Sequence, residues 1–373
     1  MYNVTFHPLA KFPGPKLYAA TSLFYSRMVL RGKLPMEVRE LHKKYGDVVR
    51  VSPDQLSITN PEAWKDIYGN RPGQPQRPKD LRQVSVGPNS TPSILRADDQ
   101  THGRYRRSLS HGFSEGSLQK QEAIVKGYID LLVQRLHEKL TAGDGRASVD
   151  MVPWYNFTTF DIIGDLVFGE SFSCLEESKY HFWVRVLFSH FRLAVWAQFF
   201  RRIPGGAHLM KWIVSKKVQN EKNIQTQLTE AKVQSRIQKG SSRPDFLSNV
   251  LSLNGTGKGM SVAELVSNSY VLIIAGSETT ATLLSGVTYY MLTVPGVFDK
   301  LKTEIRSTFS SEEEITWSAV NQLKYTLAVL NEALRMYPPL PIAFPRVVEG
   351  KGDFICDRWV PGGVSLYTEF NPT

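Results

Sequence analysis

Residues 332–339 read Glu332-Ala333-Leu334-Arg335-Met336-Tyr337-Pro338-Pro339, a carboxylate and a guanidinium one turn apart followed at once by two prolines. Residues three apart share a helix face, so the two charges can pair. Pro338 disfavours helical geometry at Tyr337, which puts the pair in the last turns of a helix. Taken alone, such a pair is ordinarily a solvated surface bridge of little energetic weight. Its meaning depends on what stands upstream.

Ser261-Val262-Ala263-Glu264 has the spacing of a capping box, in which each side chain satisfies the other residue's orphan amide and a helix starts. From Leu265 to Phe298 the one Asp, Glu, Lys, Arg or His is Glu278. A helix apolar nearly all round is buried, in a large core or in lipid. Ser267, Asn268, Ser269, Gly276, Ser277, Thr279, Thr280 and Thr282 interrupt the run too often for a membrane span, so a core helix is expected. Within it, Ala275-Gly276-Ser277-Glu278-Thr279-Thr280 sets two small residues before an acid and two hydroxyls. Small residues admit another group to the backbone, and a threonine hydroxyl bonds to a carbonyl one turn back. The result is either a groove suited to proton delivery or a helix kink with Glu278 held by a partner. A third constellation, His102-Gly103-Arg104-Tyr105-Arg106-Arg107, offers His102 and Arg106 four apart on one face, as donors to one anion or as a solvated basic turn.

In this order and at these separations the three motifs resemble the cytochrome P450 family, and the match runs from Phe6 to about Ser365. The resemblance implies a mainly α fold with a small β-sheet subdomain in a single P450-like domain. Residues 1–34 would form a proline-rich entry segment, 35–69 a helix and β-hairpin, 96–336 the helical core, and 337–373 a β-rich end. It implies haem b, with His102, Arg106 and Arg346 at the propionates and Ala275 and Gly276 at the oxygen-binding segment. Glu278 and Thr279 would relay protons, and Glu332 and Arg335 would be the structural pair behind the haem. Fungal members resemble it most, through His7-Pro8-Leu9-Ala10-Lys11-Phe12-Pro13-Gly14-Pro15 and His111-Gly112-Phe113-Ser114. A lipophilic substrate such as a terpenoid or polyketide, an NADPH-cytochrome P450 reductase, and the endoplasmic reticulum membrane are implied with it. The pocket would be lined by residues 70–95, 183–210, 272–275 and 340–344.

Two departures accompany the match. The family's iron is held by a cysteine thiolate in a loop downstream of the glutamate–arginine pair. Cys356, in Asp353-Phe354-Ile355-Cys356-Asp357, reads as the end of a short strand turning through Pro361-Gly362-Gly363. Cys174, in Phe172-Ser173-Cys174-Leu175, has no ligand setting, so both read as small core or loop residues and no metal ligand is assigned. The run Tyr367-Thr368-Glu369-Phe370-Asn371-Pro372-Thr373 leaves the family's pattern. Seven residues precede Pro8, too few for a spanning anchor. The chain as written is therefore expected to be an internal piece, cytoplasmic or peripheral, poorly soluble, and inactive unless completed. The alternative reading is a catalytically silent relative that binds a hydrophobic ligand or a partner.

Composition agrees with a large globule: 373 residues, 42% hydrophobic, 21% charged, and two cysteines that provide no disulfide framework. The net charge of +10 is concentrated towards the amino terminus, with 19 Lys/Arg against 10 Asp/Glu through Lys120. That excess suits propionates, an acidic reductase surface or anionic headgroups, and no nucleic-acid motif accompanies it. Helices are expected over 35–45, after Pro61, over 118–140 and over 154–168. Residues 48–51 and 56–59 are expected to pair as a hairpin. Trp183 to Phe200 reads as core packing, a pocket roof or a membrane-facing segment, and Lys211 to Lys239 as a solvated helix.

Overall fold

The computed structural model describes residues 1–71, 73–82, 91–203, 205–206, 208, 216–240, 243–253 and 259–368, with side chains except at 187–192, 216–218 and 222. Its helices of more than ten residues are α1 (Leu34–Tyr45), α2 (Asp99–Ser110), α3 (Glu115–Ala142), α4 (Met151–Phe168), α5 (Phe182–Arg201), α6 (Lys216–Gln238), α7 (Val262–Thr293), α8 (Val297–Thr308) and α9 (Lys324–Met336). The strands are β1 (Val48–Ser52), β2 (Gln55–Ile58), β3 (Arg346–Val347), β4 (Gly352–Ile355), β5 (Arg358–Pro361) and β6 (Ser365–Thr368). The mainly α architecture with a small sheet is the one the sequence motifs implied.

One sheet runs β1-β2-β6-β3, with β2 and β6 parallel and the other pairs antiparallel. Strand residues alternate between faces, and here both faces meet apolar clusters. Val48, Leu56, Ile58 and Leu366 join Leu9 and Phe12 on one side. Val49, Val51 and Tyr367 join Tyr25, Met28 and Val38 on the other. Arg50 lies buried between them, and backbone carbonyls replace its lost water: Nη1 donates to Asn3 O at 2.8 Å and Nη2 to Pro53 O at 2.6 Å.

The larger core forms where α7 packs on α4, with Phe160, Val167, Phe168, Trp183, Val233, Leu265 and Ile273 inside it. Among the described residues α7 is the one helix long and apolar enough to cross a membrane. It instead lies between α4, α6 and α9. Ser261 and Glu264 make the expected capping box at its start, with Ser261 Oγ accepting from Glu264 N at 3.3 Å and Glu264 Oε2 from Ser261 N at 2.8 Å.

Four expectations change in the structure. The apolar run does not stay helical to Phe298: Thr293 ends α7, and Val294-Pro295-Gly296, with Gly296 at φ +78°, turns the chain into α8. Helix α6 is not merely solvated, because Gln225, Thr229, Val233 and Arg236 are buried at helical spacing. A polar stripe is compatible with that burial because its groups find partners: Trp183 Nε1 donates to Thr229 Oγ1 at 3.0 Å, and Arg236 makes a two-point pair with Asp245 at 2.7 and 2.9 Å. Residues 211–215 lie outside the described ones. Helix α5 is core at Trp183, Val184 and Val186, yet Trp196 is exposed. The strand expected over 353–357 is broken after Ile355 by a turn of Cys356 and Asp357, both left-handed at φ 46° and 59°, and the turn at 362–363 follows a second strand, β5. Such a pair gives the primed turn whose twist matches a two-residue hairpin.

Candidate functional site

Midway along α7, Ala275, Thr279 and Thr280 are exposed, whereas Ser277 and Ala281 are buried against the core. Thr279 Oγ1 donates to Ala275 O at 2.5 Å, the back-bond expected from the sequence. Gly276 packs on α4, where a Cβ would stand 2.6 Å from Ile163 Cδ1. Its missing side chain is thus what lets α4 approach α7. Glu278 is half-buried, and its Oε1 has no hydrogen-bond partner among the described residues. Burial raises its pKa above the usual carboxylate range.

His102 and Arg106 share a face of α2, whose start is capped by Asp98 Oδ1 accepting from Thr101 N at 2.8 Å. Burial lowers the His102 pKa, and Lys79, Arg106 and Arg346 lower it further while Asp99 opposes them. Arg346 is likewise lowered by burial. Lys79 was not singled out from the sequence and is the missing member of this group. It pairs with Arg346 in an isolated β-bridge, and burial, then Arg346, push its ammonium down to about 8. None of the four cations is in an ion pair among the described residues. Four basic side chains gathered without an ion-pair partner among the described residues leave room for an anion.

Lys79 also joins this cluster to the face of α7. Its Nζ donates to Ile94 O at 2.7 Å and to Ala97 O at 3.1 Å, while Ile94 N donates to Asn268 Oδ1 at 2.8 Å. Asn268, Ala275 and Thr279 lie at i, i+7 and i+11, one stripe of the helix, and Asn268 is about 10 Å from Ala275 along the axis. Of the residues expected to line a pocket, 72, 83–90, 204, 207, 209 and 210 lie outside the described ones.

Glu332 and Arg335 pair as expected, with Nη2 to Oε1 at 2.7 Å and Nε to Oε2 at 2.8 Å. Their side chains are 60% and 42% exposed, so in this chain the pair is solvated. With α7 they border a groove of about 510 Å³ lined by Val287, Tyr290, Met291, Val329 and Met336. Neither cysteine approaches the site. Cys174 is buried in the helical core, where burial pushes its thiol up to about 12, and Cys356 N donates to Asp66 Oδ2 in the hairpin turn. No cluster of His, Cys, Asp and Glu suited to a metal occurs among the described residues.

Comparison with known proteins adds a family and relatives. Residues 13–364 match the cytochrome P450 family. The chain is 44% identical over 364 residues to cytochrome P450 monooxygenase astA of Talaromyces wortmannii, covering 97% of this chain and 72% of that one. It is 42% identical over 369 residues to averantin hydroxylase of Dothistroma septosporum, covering 98% and 68%. It is 40% identical over 355 residues to trichothecene C-4 hydroxylase of Trichoderma arundinaceum, covering 94% and 69%.

Proposed function

The chain belongs to the cytochrome P450 family, and from that premise we propose that it serves a haem-thiolate monooxygenase hydroxylating a lipophilic small molecule of secondary metabolism. The observation that supports this most is the cation cluster of Lys79, His102, Arg106 and Arg346, tied through Ile94 to the stripe of α7 that carries Ala275 and Thr279.

Family membership implies haem, and the residues present suit its periphery. The four cations answer the two propionates, and an exposed Ala275 leaves the α7 face open to a flat ring. They do not supply the cysteine thiolate that would hold its iron, because neither Cys174 nor Cys356 is placed for it. When bound, haem supplies the iron that activates oxygen. The chain's own part is electrostatic and protonic. Lys79, His102, Arg106 and Arg346 would neutralise and orient the haem's carboxylates. Glu278, its pKa raised by burial, keeps a proton more readily than an ordinary carboxyl, and Oε1 has no competing partner among the described residues. Thr279 exchanges its bond to Ala275 O for a bond to an arriving group, so its hydroxyl can accept a proton from the Glu278 side and donate one to the open face.

Electrons would come from an NADPH-cytochrome P450 reductase docking on the basic amino-terminal third, at the endoplasmic reticulum membrane. A second reading is favoured by the placement of the two cysteines: a ligand- or partner-binding relative without thiolate chemistry. Haemin titration followed by Soret absorbance and the carbonyl-ferrous difference spectrum separates them. The monooxygenase reading expects haemin binding that weakens about tenfold for each charge-assisted bond lost in His102→Ala or Arg106→Ala, and a thiolate-type band once the chain is joined to a segment carrying the family's cysteine loop. Binding indifferent to both substitutions rejects the assigned site, and binding without that band rejects the thiolate enzyme.

A further inference from the structure

We propose that Lys79 and Asn268 are positioning residues that clamp the backbone of Ile94 between the cation cluster and the face of α7, and so set where the 91–97 turn stands over the site. Its value for catalysis rests on the reading above, in which the cluster takes haem propionates and the 70–95 loop borders the substrate. The clamp itself rests on geometry alone.

Ile94 is held from both sides: its N–H by Asn268 Oδ1 at 2.8 Å and its C=O by Lys79 Nζ at 2.7 Å. Asn268 is 1% exposed, and its amide cannot rotate freely, because Nδ2 donates to Glu264 O at 2.8 Å. Lys79 is fixed at its other end by the bridge to Arg346 and makes a second bond, to Ala97 O at 3.1 Å. Two flanking bonds to the same segment follow the same pattern, Ser267 Oγ to Thr91 O at 2.8 Å and Tyr105 OH to Pro92 O at 3.3 Å. Two of the three ammonium hydrogens of Lys79 serve the turn and one is left for an anion. An anion at the cluster therefore draws on the ammonium that pins the turn, which couples cofactor seating to the position of a wall two helical turns from Ala275.

Hydrogen–deuterium exchange of the full chain, alone and with haemin, tests this in Lys79→Met, Lys79→Arg, Asn268→Leu and the double variant Lys79→Met/Asn268→Leu. Exchange at 91–97 is expected to rise at least about tenfold in the Met and Leu variants, with the α7 amides of 269–280 unmoved. The double variant is expected to fall short of the product of the two effects, because both act on one residue's backbone. Lys79→Arg, which keeps charge and donors, is expected to restore wild-type exchange. Should Asn268→Leu not fold, Ser267→Ala takes its place and must raise exchange at 91–93. Unchanged exchange at 91–97 in either single variant, or exchange that rises only together with α7, overturns the clamp. Wild type that binds no haemin, with 91–97 still responding to both substitutions, removes the cofactor reading and keeps the clamp. Haemin that protects 91–97 equally in wild type and Lys79→Met keeps the cofactor and removes the clamp.

Discussion

At Gly276 one added methyl would stand 2.6 Å from Ile163 Cδ1 and 2.9 Å from its Cγ1, so the residue governs how closely α7 and α4 approach. Gly276→Ala is expected to lower stability by about 1–3 kcal/mol through overpacking, despite the better helix propensity of alanine. Ile163→Val in the same chain should recover part of the loss, and a urea melt in which the two effects simply add would refute the contact as the cause. At Lys79 the prediction concerns pH. Its folded pKa, about 8, lies below the ordinary 10.5, so the charged ammonium opposes folding near neutrality and stability rises as pH climbs between those values. An anion beside it raises the pKa again, so haemin binding at pH 8.5 should take up a proton and weaken as pH rises through about 8. Calorimetry in two buffers of different ionisation heat measures this uptake, which should shrink in Lys79→Met. An uptake unaltered by that substitution contradicts the assignment.

At the scale of elements, the start of α7 carries an acid doing three jobs. Glu264 closes the capping box, takes Arg104 at 2.5 and 3.2 Å, and accepts from Tyr105 OH at 2.9 Å. The Arg104 hydrogen bonds are the largest cause that brings its pKa down to about 2. The sign follows: the contribution is whole above the unfolded value near 4.5 and is lost as pH falls from there towards about 2. Glu264→Gln should therefore cost about 1–2 kcal/mol at pH 7 and much less at pH 3, seen as converging thermal midpoints. A difference that stays constant with pH would show that the carboxylate charge is immaterial. Helix α6 depends on a different device, the fully buried pair of Arg236 and Asp245, where Asp245 Oδ1 also accepts from Leu247 N and Ser248 N. Removing one partner strands the other, so Arg236→Ala should cost about 3–5 kcal/mol in a denaturant titration, and a loss below 1 kcal/mol would mean water replaces the guanidinium.

Across the whole molecule, apolar surface is concentrated around the second half of α7 and the end of α9. Leu292 is 69% exposed, Tyr289 63% and Met336 43%, beside the groove of about 510 Å³. Contiguous exposed apolar surface drives association. Leu292→Glu with Met336→Lys is expected to lower the weight-average mass in sedimentation at micromolar concentration without altering the circular dichroism spectrum. Sedimentation indifferent to the two charges would place any association elsewhere.

Much of the architecture was legible in local pattern. Capping chemistry at Ser261 and Glu264, the apolar run with Glu278 alone in it, the back-bonding of Thr279 and the pairing of Glu332 with Arg335 each depend on residues within a turn of one another, so their spacing determined them. Lys79 was illegible, since nothing in Arg77-Pro78-Lys79-Asp80 distinguishes a solvated lysine from one buried beside Arg346 and reaching Ile94 O. The same holds for the buried face of α6, the turn at Cys356 and the packing role of Gly276. Periodicity reports which residues can share a face, but which face meets another element, and which charge loses its water there, depends on contacts between segments far apart in the chain; these only the tertiary structure decided.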